Sequence, residues 1–195
     1  MNNFFLKNAV NISHHMVKNV IAEGDIFIDA TCGKGNDTLF LANLVGESGQ
    51  VYAFDIQDEA IRITKEKLEQ NNLSKRVILI NDNHSNIDAH VNLPIDGAMF
   101  NLGFLPGSTV KLITMADTTL IAVQKVLHLL KAGGLITLVF YPGHEGGQEE
   151  LDVVRSYLAN LAQNEYEVSQ VNFINQINHP PQLINIQKLY GGTVI

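Results

Sequence analysis

Within nine residues, Asp29-Ala30-Thr31-Cys32-Gly33-Lys34-Gly35-Asn36-Asp37, the chain carries two glycines, a hydroxyl and two acids. The segment follows the apolar run Ile26-Phe27-Ile28 and precedes the amphipathic stretch from Thr38 to Val45, an order that reads strand, glycine turn, helix. Gly33 and Gly35 let the backbone take tight-turn angles and let a ligand approach closely. The helix behind them turns its free N–H groups and positive dipole end toward that ligand. Asp55 closes the next apolar run, Val51-Tyr52-Ala53-Phe54, and lies 20 positions after Gly35. An acid at that distance takes ribose hydroxyls in a Rossmann-type site. The pattern points to an adenosine-containing cofactor, with Asp29, Thr31, Gly33, Gly35 and Asp55 among its contacts.

The kind of cofactor turns on one position. A dinucleotide site has a third glycine three residues after the second, and here Thr38 stands there with Asp37 beside it. An acid at that point repels a pyrophosphate but suits the ammonium and sulfonium of S-adenosyl-L-methionine, so the methyl donor is favoured over NAD. The competing role for Asp29 and Asp37 is helix N-capping alone. Cys32 is the single cysteine, which excludes an internal disulfide and a cysteine-rich zinc site. It reads as a small filler of the turn, and no metal is expected.

These residues need a scaffold that brings strand ends together. Ala9, Ile12, Met16 and Val20 repeat at helical spacing, so a leading helix precedes the first strand, about Asp25 to Ala30. A helix from about Asn36 follows, then a strand from Gln50 to Asp55, a helix marked by Ala60, Ile61, Thr64 and Leu68, and strands at Val77 to Ile80 and Ile95 to Phe100. A long helix buries Leu112, Ala116, Leu120, Val123, Leu127 and Leu130, and Ala132-Gly133-Gly134 is expected to end it. Leu135 to Phe140 reads as a fully buried parallel strand. Leu151, Val154, Leu158 and Leu161 mark a last helix; Val168 to Ile174 and Leu183 to Leu189 then read as two strands with no helix between them. The expected fold is α/β, Rossmann-like: a mostly parallel seven-stranded sheet with an antiparallel edge and helices on both faces. Residues 1–195 are expected to form one domain, a leading helix over 1–23 and a core over 24–195.

In open α/β sheets ligands bind beyond the C-terminal strand ends. There the sequence puts Gln57, the run Asn81-Asp82-Asn83-His84-Ser85, the segment Asn101-Leu102-Gly103-Phe104-Leu105-Pro106-Gly107, and Tyr141-Pro142-Gly143-His144-Glu145-Gly146-Gly147. Methyl transfer from a sulfonium is an in-line displacement that depends on alignment and on a neutral nucleophile. Asn101 is suited to accept a hydrogen bond from an amine N–H and aim its lone pair. His144 is suited to take the surplus proton. Tyr141 and Phe104 can stack on a base, and one of His14 and His15 can reach over the pocket, although packing or solvent exposure is the commoner role for such histidines.

With 46% hydrophobic residues the chain can bury a full core, and no apolar run reaches the roughly 18 residues of a membrane span. Phe4-Phe5-Leu6 is too short for a signal-peptide core, so a cytoplasmic protein is expected. The net charge of −7 argues against wrapping long stretches of nucleic acid but leaves room for a compact RNA site. Lys7, Lys18, Lys34, Lys75, Arg76 and Lys188 are the candidates for a local basic patch.

The segments Asp29 to Thr38, Asn101 to Gly107, Tyr141 to Gly147 and Pro180-Pro181-Gln182-Leu183 together resemble the small bacterial family long labelled "putative rRNA methylase", whose members look like tRNA 5-(aminomethyl)-2-thiouridine methyltransferases. The resemblance covers essentially the whole chain. It implies a class I S-adenosyl-L-methionine-dependent methyltransferase that completes 5-methylaminomethyl-2-thiouridine at the tRNA wobble position, with the tRNA anticodon region as its partner. Carried over by position, it implies a donor site of Asn36, Asp37, Asp55, Gln57, His84 and Ser85, with Asn101 near the methyl. It is compatible with a homodimer, which the residues themselves do not show. Three other functions remain open on the residues: methylation of ribosomal RNA, methylation of a small molecule, and donor binding without catalysis. NAD-dependent redox chemistry is more distant.

Overall fold

A computed structural model describes residues 6–103 and 113–190. Its elements in chain order are α1 (Ala9–Lys18), β1 (Ile26–Asp29), α2 (Asn36–Leu44), β2 (Gln50–Asp55), α3 (Asp58–Gln70), β3 (Val77–Asn81), α4 (Ile87–His90), β4 (Ile95–Asn101), α5 (Ala116–Leu129), β5 (Leu130–Phe140), α6 (Gly147–Leu158), β6 (Tyr166–Val171) and β7 (Gln182–Lys188). The seven strands form one sheet in the order β3-β2-β1-β4-β5-β7-β6. The pairs β1–β2, β1–β4, β2–β3 and β4–β5 are parallel. β7 runs antiparallel to both β5 and β6. The expected α/β architecture with an antiparallel edge is therefore present, and β7 is inserted between β5 and the outermost strand.

Two apolar layers cover the sheet. Phe27 and Ile28 are neighbours in β1, so their side chains point to opposite faces. Phe27 packs with Val17 of α1, Leu41 of α2 and Leu68 of α3. Ile28 packs with Phe54, Phe100 and Phe140, beneath Val123 of α5 and Val154 of α6. Burial on both faces is why these strands read as continuous apolar runs rather than alternating ones. α5 carries five β-branched residues, Thr118, Thr119, Ile121, Val123 and Val126, which lower intrinsic helix preference. Full burial of a side chain such as Val or Leu contributes about 1.5–3 kcal/mol, more than the few tenths each β-branch costs, so packing decides the helix.

Three expectations are corrected. First, Ala132-Gly133-Gly134 does not close the long helix: α5 ends at Leu129 and the glycines lie inside β5. Ile95 pairs with Leu130 but Gly97 pairs with Leu135, so β5 bulges by three residues against β4. Gly133 supplies the left-handed backbone (φ +83°) this bulge needs, and Lys131 grips Asp96 across it at 2.8 Å. The apolar period runs unbroken through Leu130, so nothing in it marks the helix end. Second, the buried face of α5 is Thr119, Ala122, Val123, Val126 and Leu127; Leu120 is half-buried and Leu112 lies outside the described residues. Third, the penultimate strand begins and ends earlier than expected, and Ile174 sits beyond it, 99% exposed. The leading helix stops at Lys18, before Val20; Asn8 caps its start by accepting the Asn11 N–H at 2.8 Å.

Candidate active site

The parallel strands all end on one side, and there a cavity of about 420 Å³ opens. Thr31, Cys32, Gly33, Lys34, Asn36 and Asp37 line it from the turn after β1, and Asp55, Ile56 and Gln57 from the end of β2. Asp82, Asn83 and His84 line it after β3, Asn101, Leu102 and Gly103 after β4, and Tyr141 and His144 after β5. A volume of this size is typical of a small-molecule pocket.

The turn is held from below by its own acids. Asp55 accepts the Gly33 N–H and the Gln57 N–H, both at 2.9 Å, and burial pushes its carboxyl above the ordinary range. The Ile56 N–H also favours the charged carboxylate, and with about four acceptor positions the group retains capacity for a ligand hydroxyl. Gly33 and Gly35 both take left-handed angles. Gly33 faces the cavity, but Gly35 does not: a Cβ there would lie 2.8 Å from the Thr64 hydroxyl of α3. Gly35 therefore serves helix packing rather than ligand approach. It is also the N-cap of α2 and has no side chain to offer, so neither Asp29 nor Asp37 caps that helix.

Asp37 is the centre of a polar chain. Its Oδ1 accepts the His14 Nε2–H at 2.6 Å, and its Oδ2 accepts the Asn101 Nδ2–H at 3.2 Å. The Tyr141 hydroxyl donates to Asn101 Oδ1 at 2.8 Å, and the Asn101 N–H donates to Thr31 Oγ1 at 2.8 Å. Asp37 can only accept, so the amide nitrogen of Asn101 must face it, which orients the whole carboxamide. Burial, then the Asp37 charge, push the Tyr141 phenol above its ordinary value, so it stays a donor at neutral pH. His14 stacks on Phe40 with ring centroids 4.0 Å apart. One of the two leading-helix histidines thus does reach the site, against the commoner role weighed for it. No local signal could show this, because its partner lies 23 residues away.

His84 provides a test of the adenosine expectation. Its Nδ1–H donates to the Ala30 carbonyl at 3.2 Å, and burial lowers its pKa, so the ring is neutral and Nε2 is an acceptor. His84 lines the cavity, and its Nε2 is buried with no hydrogen-bond partner among the described residues. An unmet buried acceptor costs about 1–3 kcal/mol, which a ligand N–H or O–H recovers. An adenine amino group or a ribose hydroxyl supplies such a donor, so the cavity fits the methyl donor's adenosine half, while Asp37 fits its cationic half.

Other expected residues fall elsewhere. Asp29 and Ser85 do not line the cavity. The Ser85 N–H bonds Asn83 at 2.8 Å and its carbonyl takes Lys125 at 2.6 Å. Asp82 does line the cavity; hydrogen bonds from His90, Asn86 and the Asn83 N–H hold its carboxyl below the ordinary range. His144 lies on the rim with its ring 5.9 Å from that of Tyr141. Phe104, Leu105, Pro106 and Gly107 lie outside the described residues. Ile113, Thr114, Met115 and Thr118, which also line the cavity, carry no sequence signal of their own. The basic candidates do not converge. Arg76 precedes β3 and Lys188 ends the antiparallel β7, both at the opposite sheet end, where they bond the Ala42 and Leu130 carbonyls. Among the described residues of that set, Lys34 alone lines the cavity.

Asp29 acts beneath the turn. It is 1% exposed and accepts the Thr31 N–H at 3.2 Å and the Thr38 hydroxyl at 2.5 Å. Burial, then repulsion by Asp37, push its carboxyl up to about 7. A pKa raised on folding gives stability that is present below the unfolded value, near 4, and lost as pH rises through the folded one. Asp29 therefore withdraws stability between about pH 4 and 7, and Asp29→Asn removes that slope. Thermal melts from pH 4 to 8 should show the variant gaining on the wild type as pH rises. A difference that does not change with pH contradicts this.

Comparison with known proteins agrees with the geometry. Residues 51–187 match the profile of the family described as "Putative rRNA methylase". The chain is 42% identical over 183 residues to "tRNA (mnm(5)s(2)U34)-methyltransferase, chloroplastic" of Arabidopsis thaliana, covering 89% of this chain and 67% of that one. It is similar to the crystal structure of a "putative rRNA-methylase" from Clostridium thermocellum, with a TM-score of 0.91, 46% identity, and coverage of 94% and 98% of the two chains. A "putative methyltransferase" from Streptococcus mutans, solved in complex with SAH, has a TM-score of 0.86 and 43% identity over 94% of this chain and 99% of that one. The fold, a cavity at the strand ends that fits S-adenosyl-L-methionine, and these similarities lead to one identification: the chain belongs to the "Putative rRNA methylase" family and is an S-adenosyl-L-methionine-dependent methyltransferase.

Proposed function

We propose that this methyltransferase acts on tRNA, moving the methyl group to the exocyclic amine of 5-aminomethyl-2-thiouridine at the wobble position and giving 5-methylaminomethyl-2-thiouridine. The observation that carries the reading is the locked carboxamide of Asn101. Its nitrogen is committed to Asp37 and one oxygen lone pair to Tyr141, which leaves the other lone pair for a substrate N–H. That is a device for aiming an amine, not for deprotonating a carbon or a hydroxyl. The name of the Arabidopsis relative supplies the tRNA nucleoside.

S-adenosyl-L-methionine supplies, when bound, a sulfonium methyl open to in-line displacement. Asp37 and Asp55 hold the donor's cationic and ribose parts, with Thr31, Gly33, Asn36, Gln57 and His84 completing its site. Asn101 accepts one N–H of the neutral amine and directs the nitrogen lone pair toward the methyl. As the N–C bond forms and the C–S bond breaks, the nitrogen becomes positive, and His144 on the rim takes the surplus proton. Tyr141 orients Asn101 through its hydroxyl. Residues 1–195 work as one methyltransferase domain, in the cytoplasm, on the anticodon region of the tRNA; a homodimer is compatible with this.

The test is nucleoside mass spectrometry on tRNA bearing 5-aminomethyl-2-thiouridine after incubation with the protein and S-adenosyl-L-methionine. A gain of one methyl on that nucleoside is expected. No gain, with donor binding verified by calorimetry, overturns the assignment and brings forward ribosomal RNA, the substrate class in the family's description.

A further inference from the structure

Glu150, in the first turn of α6, is 2% exposed and plays no part in the chemistry above. Its Oε1 accepts the Thr119 hydroxyl of α5 at 2.6 Å, and its Oε2 accepts the Thr114 hydroxyl at 3.0 Å. The Thr114 oxygen in turn accepts the Gly103 N–H at 2.9 Å, and the Thr114 N–H donates to the Gly103 carbonyl at 2.9 Å. Gly103, Thr114 and Thr118 line the cavity; Glu150 does not.

A threonine hydroxyl has one proton and two lone pairs, so Thr114 can accept from Gly103 and still donate its proton to Glu150. With Glu150 ionised, two hydroxyl protons converge on its carboxylate. Burial pushes that carboxyl above its ordinary value, which makes the ionised form a stability cost at neutral pH. An apolar or neutral residue would serve α6 packing at lower cost.

The donor-fitting groups lie after β1, β2 and β3, whereas Gly103 and Thr114 wall the side next to Asn101 and Tyr141. We propose that Glu150 is a positioning residue for the methyl acceptor: through the Thr114 hydroxyl it fixes the Gly103 backbone that walls the acceptor side of the cavity. This rests on the reading of Asn101 as the acceptor's contact.

Glu150→Gln keeps the shape but has a single oxygen for the two hydroxyl donors that the carboxylate serves. Thr114→Val removes the hydroxyl, and Thr114→Ser retains it. The readouts are amide hydrogen exchange at Gly103, donor affinity by calorimetry, melting temperature, and KM and kcat on tRNA bearing 5-aminomethyl-2-thiouridine. Glu150→Gln and Thr114→Val should each speed Gly103 exchange about tenfold and raise the acceptor KM about fivefold. Donor affinity should change less than about twofold, and the melting temperature of Glu150→Gln should not fall. The double variant should be no worse than the worse single one, and Thr114→Ser should behave as wild type. Unchanged Gly103 exchange in Glu150→Gln overturns the relay. A parallel loss of melting temperature and donor affinity in Glu150→Gln overturns the acceptor-specific role. If the wild type does not methylate this tRNA, the proposed function fails by itself, while exchange, stability and donor affinity still decide the role of Glu150.

Discussion

Asn101→Ala should lower kcat on the aminomethyl tRNA by about a hundredfold or more while changing donor affinity less than about threefold. The carboxamide is fixed at two points, Nδ2–H to Asp37 and Oδ1 from Tyr141, and the residue's backbone N–H is held by Thr31. Such a group has little freedom left to lose when substrate arrives, so its contribution goes into alignment. A misplacement of about 1 Å in a displacement of this kind costs about a hundredfold. Alanine also leaves Asp37 and the Tyr141 hydroxyl without that partner, but Asp37 retains His14 at 2.6 Å and so keeps its place for the donor. Steady-state kinetics beside calorimetry separates the two effects. An equal loss in kcat and donor affinity would make Asn101 a donor ligand instead.

Asp37→Asn should weaken donor binding about tenfold to a hundredfold, as the loss of one charged hydrogen-bonding partner of about 1.5–3 kcal/mol requires. The carboxylate is almost fully buried and lies at the start of α2, where the helix dipole also favours its charge. An ammonium brought beside it is attracted with little screening. Asparagine keeps the volume and can still accept from one of His14 and Asn101, so the fold should survive. The substitution should have a second effect, at Asp29. Repulsion from Asp37 is the second largest cause of the raised Asp29 pKa, so removing it should shift the loss of stability with pH to a lower range. Calorimetric titration with the donor and melts across pH 4 to 8 check both effects. Donor affinity equal to wild type would remove Asp37 from the donor site.

The order of elements, the seven strands, the antiparallel edge and the cavity's position at the strand ends were legible in the chain because each rests on a local periodicity. Runs such as Ile26-Phe27-Ile28 and Leu135 to Phe140 are buried on both faces and announce parallel strands. Gly33, Asp37, Asp55, His84, Asn101, Tyr141 and His144 could be placed at the cavity for the same reason, since the segments that follow the parallel strands of such a sheet open onto that edge. Other facts depended on partners far apart in the chain. That Gly35 makes room for Thr64, that Asp29 supports the turn from inside, and that Lys188 and Arg76 bond carbonyls at the opposite sheet end follow from packing between elements.

Residue types and their spacing thus specified the scaffold and the groups available for chemistry. Which of those groups meet depends on packing between distant elements. His14, Asp37, Asn101 and Tyr141 come from α1, α2, the end of β4 and the loop after β5, and Glu150 joins Thr114 and Thr119 across two further elements. A hydrogen bond is set by a few tenths of an ångström and by the direction of a proton. Neither is encoded in residue type or local spacing, and both are fixed when the sheet brings its strand ends to one edge.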